Sequence, residues 1–346
     1  MNTKTILLSL PPHHQVYKLL EENLIYHGFK VINIVREEEL FRYPSVKVRL
    51  QTKFRQIILR DKLAKLRVKT TLVKERISRQ ITESGGIDYA LFIRGDIYPP
   101  EFLQFIREAS SAVMVNYQWD GIKRFPEIWK CIPQFDRFFV FDPADLHTPG
   151  HHFLPATNFY FDHDISEMPP EEYDFYFTGS HQQARAKSII AFARHAEKMG
   201  WNINFKVFWW PTQKITDARA IYTPKNIRIG LKGGTFQENL YHTKRARVLV
   251  DVLDPVHNGL SFRAFEALGY RKKLITTNAE TAKYDFYHPD NIFIWDGETF
   301  DGIDDFLKRP YHEIAPEIRE KYSFGNWIRY VLDIPPYQPI TLPEVG

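Results

Sequence analysis

RVLVDVLDPVHNGLSFRAFEALGYRKKLITTN, residues 247–278, is the stretch whose reading decides the fold. Val248, Val250 and Val252, with Leu249 and Leu253, form a short apolar, β-branched run of the kind a buried parallel strand needs. Asp254 and Pro255 break it. His257, Asn258 and Gly259 then supply a turn in which glycine can take positive φ. Ser261 is placed to cap a helix over residues 262–268, with Phe262, Phe265 and Leu268 on one face. Gly269 stops the helix and residues 273–277 begin the next strand. The unit is strand, glycine-containing turn, helix, strand.

A turn of this kind presents unpaired N–H groups and the positive end of a helix dipole to an anion, typically a phosphate. Any β–α turn of any α/β protein shares that property, so the turn alone leaves both readings open. Glu266 adds a second feature. It lies off the apolar face, in the second helical turn, and its side chain leans back toward the N-terminal end. There it can accept two ribose hydroxyls while the turn holds phosphates, or form an i,i+3 surface pair with Arg263.

At this point the chain resembles a known family. Asn258-Gly259-Leu260-Ser261-Phe262-Arg263-Ala264-Phe265-Glu266-Ala267-Leu268-Gly269 is similar to the donor-site segment of GT-B glycosyltransferases, especially the CgeB-like group of bacterial surface-polysaccharide enzymes, with its G-x-x-x-R-x-F-E-A pattern. Tyr173-Asp174-Phe175-Tyr176-Phe177-Thr178-Gly179-Ser180, followed by Arg185, resembles the D-x-x-F-x-G-S…R segment of the same group. The likeness covers residues 130–300 and is thin before them. It implies an α/β protein of two doubly wound, Rossmann-like domains facing across a cleft. It also implies a nucleotide-sugar donor, a UDP-hexose or similar, with phosphates on Asn258, Gly259, Leu260, Ser261, Gly179, Ser180 and Arg185, and ribose on Glu266. Arg263 belongs to the same donor segment. One position departs from the pattern of many retaining members, which carry a second glutamate eight places before the one matching Glu266. Asn258 stands there, which favours inversion.

With 346 residues, the chain is long enough for two domains with a core each. Apolar residues at 44% and charged residues at 25% exclude overall disorder. Aromatics at 15% suit cleft walls that stack on sugars as well as ordinary core filling. The single cysteine, Cys131, excludes an internal disulfide and a cysteine metal cluster, and points to a reducing cytoplasm. Neither a signal peptide nor a run of roughly 20 apolar residues that could span a membrane is seen.

Charge is unevenly spread. Residues 47–79 hold twelve Lys or Arg against Asp61 and Glu75, so a net +4 chain carries +10 there and −6 elsewhere. Phe54, Ile57, Ile58, Leu63 and Leu66 punctuate the block at near-helical spacing, which predicts one or two basic amphipathic helices. Three uses compete: contact with an anionic membrane surface, nucleic-acid binding, and a plain solvated face. No recognised nucleic-acid module accompanies the charge. The expectation is therefore a peripheral membrane contact and no nucleic-acid partner.

The N-terminal half opens as strand (residues 5–10), loop, helix (15–27) and strand (30–35), a doubly wound beginning. His13 and His14 fall in the first loop, at the ligand-bearing edge of such a sheet, as acceptor-side candidates or as exposed loop residues. Three later strands end in carboxylates: Asp96, Asp120 and Asp142. Inverting transfer needs a group to deprotonate the acceptor hydroxyl. Asp120, beside the aromatic Trp119, is the first candidate base and Asp96 the second; each also reads as a cap or turn residue. A last N-terminal strand is expected over residues 153–159, then an acidic, proline-containing linker over 162–172. Asp162 and Asp164 spell D-x-D, but within that linker.

Downstream, strands are expected at 173–177 and 204–208 around a helix at 182–199, with Arg185 in its first turn. Residues 209–224 read as irregular, 227–232 as a strand and 236–245 as a helix carrying Lys244, which can neutralise diphosphate charge or sit on a solvated face. The expected domains are 1–165, binding a saccharide or lipid-linked saccharide acceptor; 166–322, binding the donor; and 323–346, a helix and tail packing back on the first. The implied function is cytoplasmic, metal- and cofactor-independent glycosyl transfer in lipopolysaccharide or capsule synthesis. A nucleotide-sugar epimerase or hydrolase, or a catalytically silent polysaccharide- or membrane-binding protein, remain the alternatives.

Overall fold

The computed structural model describes residues 3–35, 41–61, 63–163, 165, 168–209, 215–231 and 233–344. Asp164 lies outside them. Packing divides the chain into two units: Met1–Pro12, Leu20–Val140 and Asp145–Leu154 form the first, and His13–Leu19, Phe141–Ala144 and Pro155–Gly346 the second. This differs from the expected division, because residues from 155 onward, tail included, group with the second unit.

In chain order the first sheet and its helices are β1 (Thr5–Ser9), α1 (Val16–Tyr26), β2 (Lys30–Asn33), α2 (Val46–Ile57), α3 (Ala64–Glu83), β3 (Tyr89–Ile93), α4 (Pro100–Ala109), β4 (Val113–Gln118), β5 (Arg137–Val140), α5 (Pro143–Leu146) and β6 (Leu154–Pro155). The strand order is β2-β1-β3-β4-β5-β6. The central strands are buried on both faces: Leu7, Ala90, Phe92, Met114 and Val140 on the face that α4 closes with Phe102, Leu103 and Ile106, and Leu8, Leu91, Val115 and Phe139 on the other. Chain direction reverses its progress across the sheet between β1 and β3, a topological switch point. The basic block forms two helices, α2 and α3, as its periodicity predicts.

The second sheet comprises β7 (Tyr173–Ser180), α6 (Gln183–Met199), β8 (Ile203–Phe208), α7 (Ile215–Ile221), β9 (Ile227–Gly230), α8 (Phe236–Lys244), β10 (Ala246–Asp251), α9 (Phe262–Gly269), β11 (Lys273–Thr276), β12 (Ile292–Ile294), α10 (Ile303–Lys308), α11 (Pro316–Lys321) and α12 (Phe324–Leu332). Its order, β12-β11-β10-β7-β8-β9, is the doubly wound arrangement with its switch point between β7 and β10. Both sheets are parallel.

Several local expectations change. Residues 153–159 give only the two-residue β6; Phe159 and Phe161 instead join Phe324 and Trp327 in a buried aromatic cluster, with Phe159 and Trp327 ring centroids 4.6 Å apart. That cluster, with the Tyr330 hydroxyl on the Pro155 carbonyl at 3.0 Å, seats α12 within the second unit rather than the first. Ser323 starts α12, its hydroxyl accepting from the Asn326 amide. A helix, α7, occupies part of the stretch read as irregular.

Candidate functional site

The second unit carries a pocket of ≈ 360 Å³ at the carboxyl ends of β7 and β10, its switch point. In an open parallel sheet the strands' carboxyl ends leave a crevice there, because the loops on either side turn in opposite directions. β7 delivers Thr178, Gly179 and Ser180, and β10 delivers Asp251 to Asp254.

Asp251 organises the floor. It ends the apolar run of β10, is buried, and accepts from Arg263 Nη1 at 2.8 Å, Ser261 Oγ at 3.0 Å and Thr276 Oγ1 at 3.3 Å. Ser261 is thus the N-cap residue of α9 by position, but its hydroxyl serves Asp251 instead of the helix amides. Arg263 also donates Nη2 to the Thr178 carbonyl, tying α9 to β7. Arg185, in the first turn of α6, donates Nη2 to the Ser180 carbonyl at 3.1 Å. Burial first, then the Arg263 guanidinium, lowers its pKa from the ordinary arginine value. Two half-buried guanidiniums therefore share one wall, and the Nε of each is buried with no hydrogen-bond partner among the described residues. An incoming anion would relieve both the repulsion and the missing bonds.

Of the two readings of Glu266, the surface pair with Arg263 is overturned: Glu266 is 1% exposed, and Arg263 pairs with Asp251. Its Oε1 accepts from Asn239 Nδ2 at 3.0 Å and its Oε2 from Thr243 Oγ1 at 3.5 Å, both from α8. Tyr176 donates its hydroxyl to Asn239 Oδ1 at 3.2 Å and so fixes which amide atom faces the carboxylate. Burial raises the Glu266 pKa to about 7, against the opposing pull of Arg263, Asn239 and Thr243.

Gly259 is required, but not for positive φ, which it does not adopt. A Cβ on it would lie 2.3 Å from the Phe141 ring and 2.8 Å from the Phe141 carbonyl oxygen. The loop is held from below by Asp142, which accepts from the Asn258 amide at 3.2 Å.

Of the residues expected to hold a donor, Gly179, Ser180, Arg185, Gly259, Ser261, Arg263 and Glu266 line the pocket. Lys244, Asn258 and Leu260 do not: Lys244 lies over the Tyr270 ring, Asn258 is bonded to Asp142 through its amide, and Leu260 is buried with its carbonyl on Asn158. His14 does line it, with Nδ1 2.8 Å from the Gly234 carbonyl, which can only accept, so Nδ1 is the donor of that bond. Its φ of 55° is left-handed, a strained conformation for a histidine. His13 is exposed and outside the lining. Asp96 and Asp120 belong to the first unit and are ion-paired there: Arg94 gives Nη2 to Asp96 at 2.6 Å and Nη1 to Asp120 at 3.4 Å, its guanidinium resting on the Phe125 ring. Sequence reasoning missed Asp251, Asn239, Lys206 and His257 as residues that line the pocket. Only Asp251 left a signal, as the lone acid inside an apolar run.

Compared with known proteins, no family model matches the chain, and no curated protein matches it in sequence. Solved structures do resemble it. An alpha-glucosyltransferase in complex with UDP and a 13-mer DNA containing an HMU base aligns at TM-score 0.53 and 10% identity, covering 89% of this chain and 90% of that one. Its complex with UDP and DNA containing a central A:G mismatch gives 0.52 and 10%, covering 89% of each chain. A Listeria monocytogenes protein assigned as a UDP-N-acetylglucosamine 2-epimerase gives 0.51 and 8%, covering 98% and 100%. The two six-stranded parallel sheets with their helices are the Rossmann-like domains of the GT-B fold. At these identities the likeness extends to the fold alone.

Proposed function

We propose that this protein is a nucleotide-sugar-dependent glycosyltransferase whose donor site is the switch-point pocket of the second sheet. One observation carries the reading: two arginines with unpartnered buried Nε atoms and a buried carboxylate meet where a doubly wound sheet binds its ligand. Arg185, Arg263 and the amides after β7 and before α9 hold the diphosphate, and Glu266 accepts the ribose hydroxyls. A UDP-hexose or similar donor is consistent with the UDP bound in the alpha-glucosyltransferase neighbours.

In the transfer, the acceptor hydroxyl oxygen attacks the anomeric carbon while His14 Nε2 takes its proton. The bond from that carbon to the diphosphate oxygen breaks, and the leaving nucleoside diphosphate keeps the electron pair. Arg185 and Arg263 stabilise that charge without a metal ion. Attack opposite the leaving group inverts the anomeric centre, in keeping with Asn258 where retaining members of the resembled family carry glutamate. His14 is preferred over Asp120 and Asp96 because they are ion-paired with Arg94, whereas His14 lines the pocket. The acceptor is a saccharide, free or lipid-linked, of a bacterial surface polysaccharide, reached from the cytoplasmic face of an anionic membrane through residues 47–79.

Radiolabelled donor turnover tests this. Transfer to a saccharide acceptor is expected, at a rate lowered about 10²–10⁴-fold in His14→Ala with nucleotide affinity kept. Epimerisation or hydrolysis of the donor with no acceptor requirement would replace transferase by the epimerase reading, which the Listeria neighbour's fold also accommodates.

A further inference from the structure

We propose that α2 is an interfacial membrane helix: its apolar face inserts into the surface of an anionic bilayer, and its lysines and arginines hold the headgroups. The inference rests on the membrane-surface reading of residues 47–79 and deepens it, because attraction by charge alone needs no apolar contact.

Val46, Leu50, Phe54 and Ile57 follow i, i+4, i+8 and i+11 and so share one face of α2. A globular helix turns such a face inward. Here the four are 74%, 62%, 56% and 72% exposed, and Ile58 and Leu59 beyond the helix end are exposed too. The inward positions are Val48, Thr52 and Gln56, of which only Thr52 is fully buried; it spends its hydroxyl on the Val48 carbonyl. The helix is therefore docked by its less apolar side, and leaves out the side chains best suited to a core. Six large aliphatic or aromatic groups in contact with water form a patch of the kind that marks an interaction surface.

Charge identifies what covers the patch. Residues 41–60 contain six Lys or Arg and no Asp or Glu. Arg49 and Lys53 border the apolar face on one side and Lys47 on the other, all exposed. Apolar centre with cationic borders matches a bilayer with anionic headgroups, where the helix lies in the plane of the interface. A polynucleotide would use the cations but gain nothing from the aliphatic face. A second copy of this chain would bring the same cations against themselves.

The experiment uses the full chain and vesicles of phosphatidylglycerol with phosphatidylcholine, against phosphatidylcholine alone. Leu50→Cys is labelled with a polarity-sensitive dye; native Cys131 is buried. Anionic vesicles are expected to shift the dye emission to the blue and to bind the unlabelled protein. A Leu50→Ser/Phe54→Ser/Ile57→Ser variant, all cations retained, is expected to bind at least ten-fold more weakly, while its thermal shift with nucleotide stays intact. Equal vesicle binding by that variant, with no dye shift, would overturn insertion and leave a charge-only membrane contact. Absence of vesicle binding by the wild type would overturn insertion and membrane contact together, with the donor site untouched. A dimer that dissociates in the triple variant, or oligonucleotide binding in place of vesicle binding, would assign the face to that partner and overturn the proposal.

Discussion

Glu266 and Asp251 are two buried acids fifteen positions apart with different partners. Asp251 is paired with Arg263 and two hydroxyls. Glu266 has an amide and a distant hydroxyl, and burial raises its pKa to about 7. The folded state therefore keeps a proton that the unfolded chain releases near pH 4.5. The contribution of this group to stability is full below that pH and declines as pH rises through about 7. Over that window the wild type should lose on the order of 3 kcal/mol relative to Glu266→Gln, read from urea unfolding at successive pH values. Donor binding has the reverse sign, since ribose hydroxyls donate to the ionised carboxylate: nucleotide-sugar affinity should rise from pH 6 to 8 in the wild type and stay flat in Glu266→Gln, by calorimetry. Glu266 was legible from its place in the second turn of a helix after a glycine turn. Its burial was not, because the residues that cover it, Tyr176, Asn239 and Thr243, come from β7 and α8, and a helical pattern does not report what packs over it.

Among the elements, the turn before α9 makes the sharpest demand. Gly259 passes against Phe141, so a methyl group there must displace the loop or the ring. Gly259→Ala should cost about 1–3 kcal/mol of stability, measured by thermal or urea unfolding, and weaken nucleotide binding as the loop amides move. Gly269 is constrained the same way, its Cβ position lying 2.1 Å from the Tyr160 ring. Strand and helix positions in this stretch followed from apolar periodicity, as did α2 and α3. The last N-terminal strand did not, because Phe159 and Phe161 are apolar for the sake of an aromatic cluster with α12, and an apolar run reads alike in both settings.

For the molecule as a whole, two parallel sheets were expected, yet the strand orders depend on pairings between distant residues that no local pattern encodes. The same limit hid His14's role. A histidine in the first loop was legible as a ligand-edge residue, whereas its bond to Gly234 joins positions 220 residues apart. If His14 is the base, His14→Ala should lower kcat at nearly unchanged donor KM, and Asp120→Asn should alter kcat less than ten-fold; steady-state kinetics separates the two. The charge asymmetry, +10 in residues 47–79 of a +4 chain, was read from composition, but which face of the helix stays uncovered was not. The central claim is that the β7–β10 switch point binds a nucleotide-sugar. It is tested most directly by thermal-shift measurements with UDP, GDP, TDP and CMP and their common sugar conjugates, with and without Mg²⁺, on the wild type and Glu266→Ala. The account predicts a rise in Tm with one nucleotide class, independent of Mg²⁺ and lost in the variant. A flat response to every nucleotide, or a shift that Glu266→Ala leaves unchanged, would contradict it.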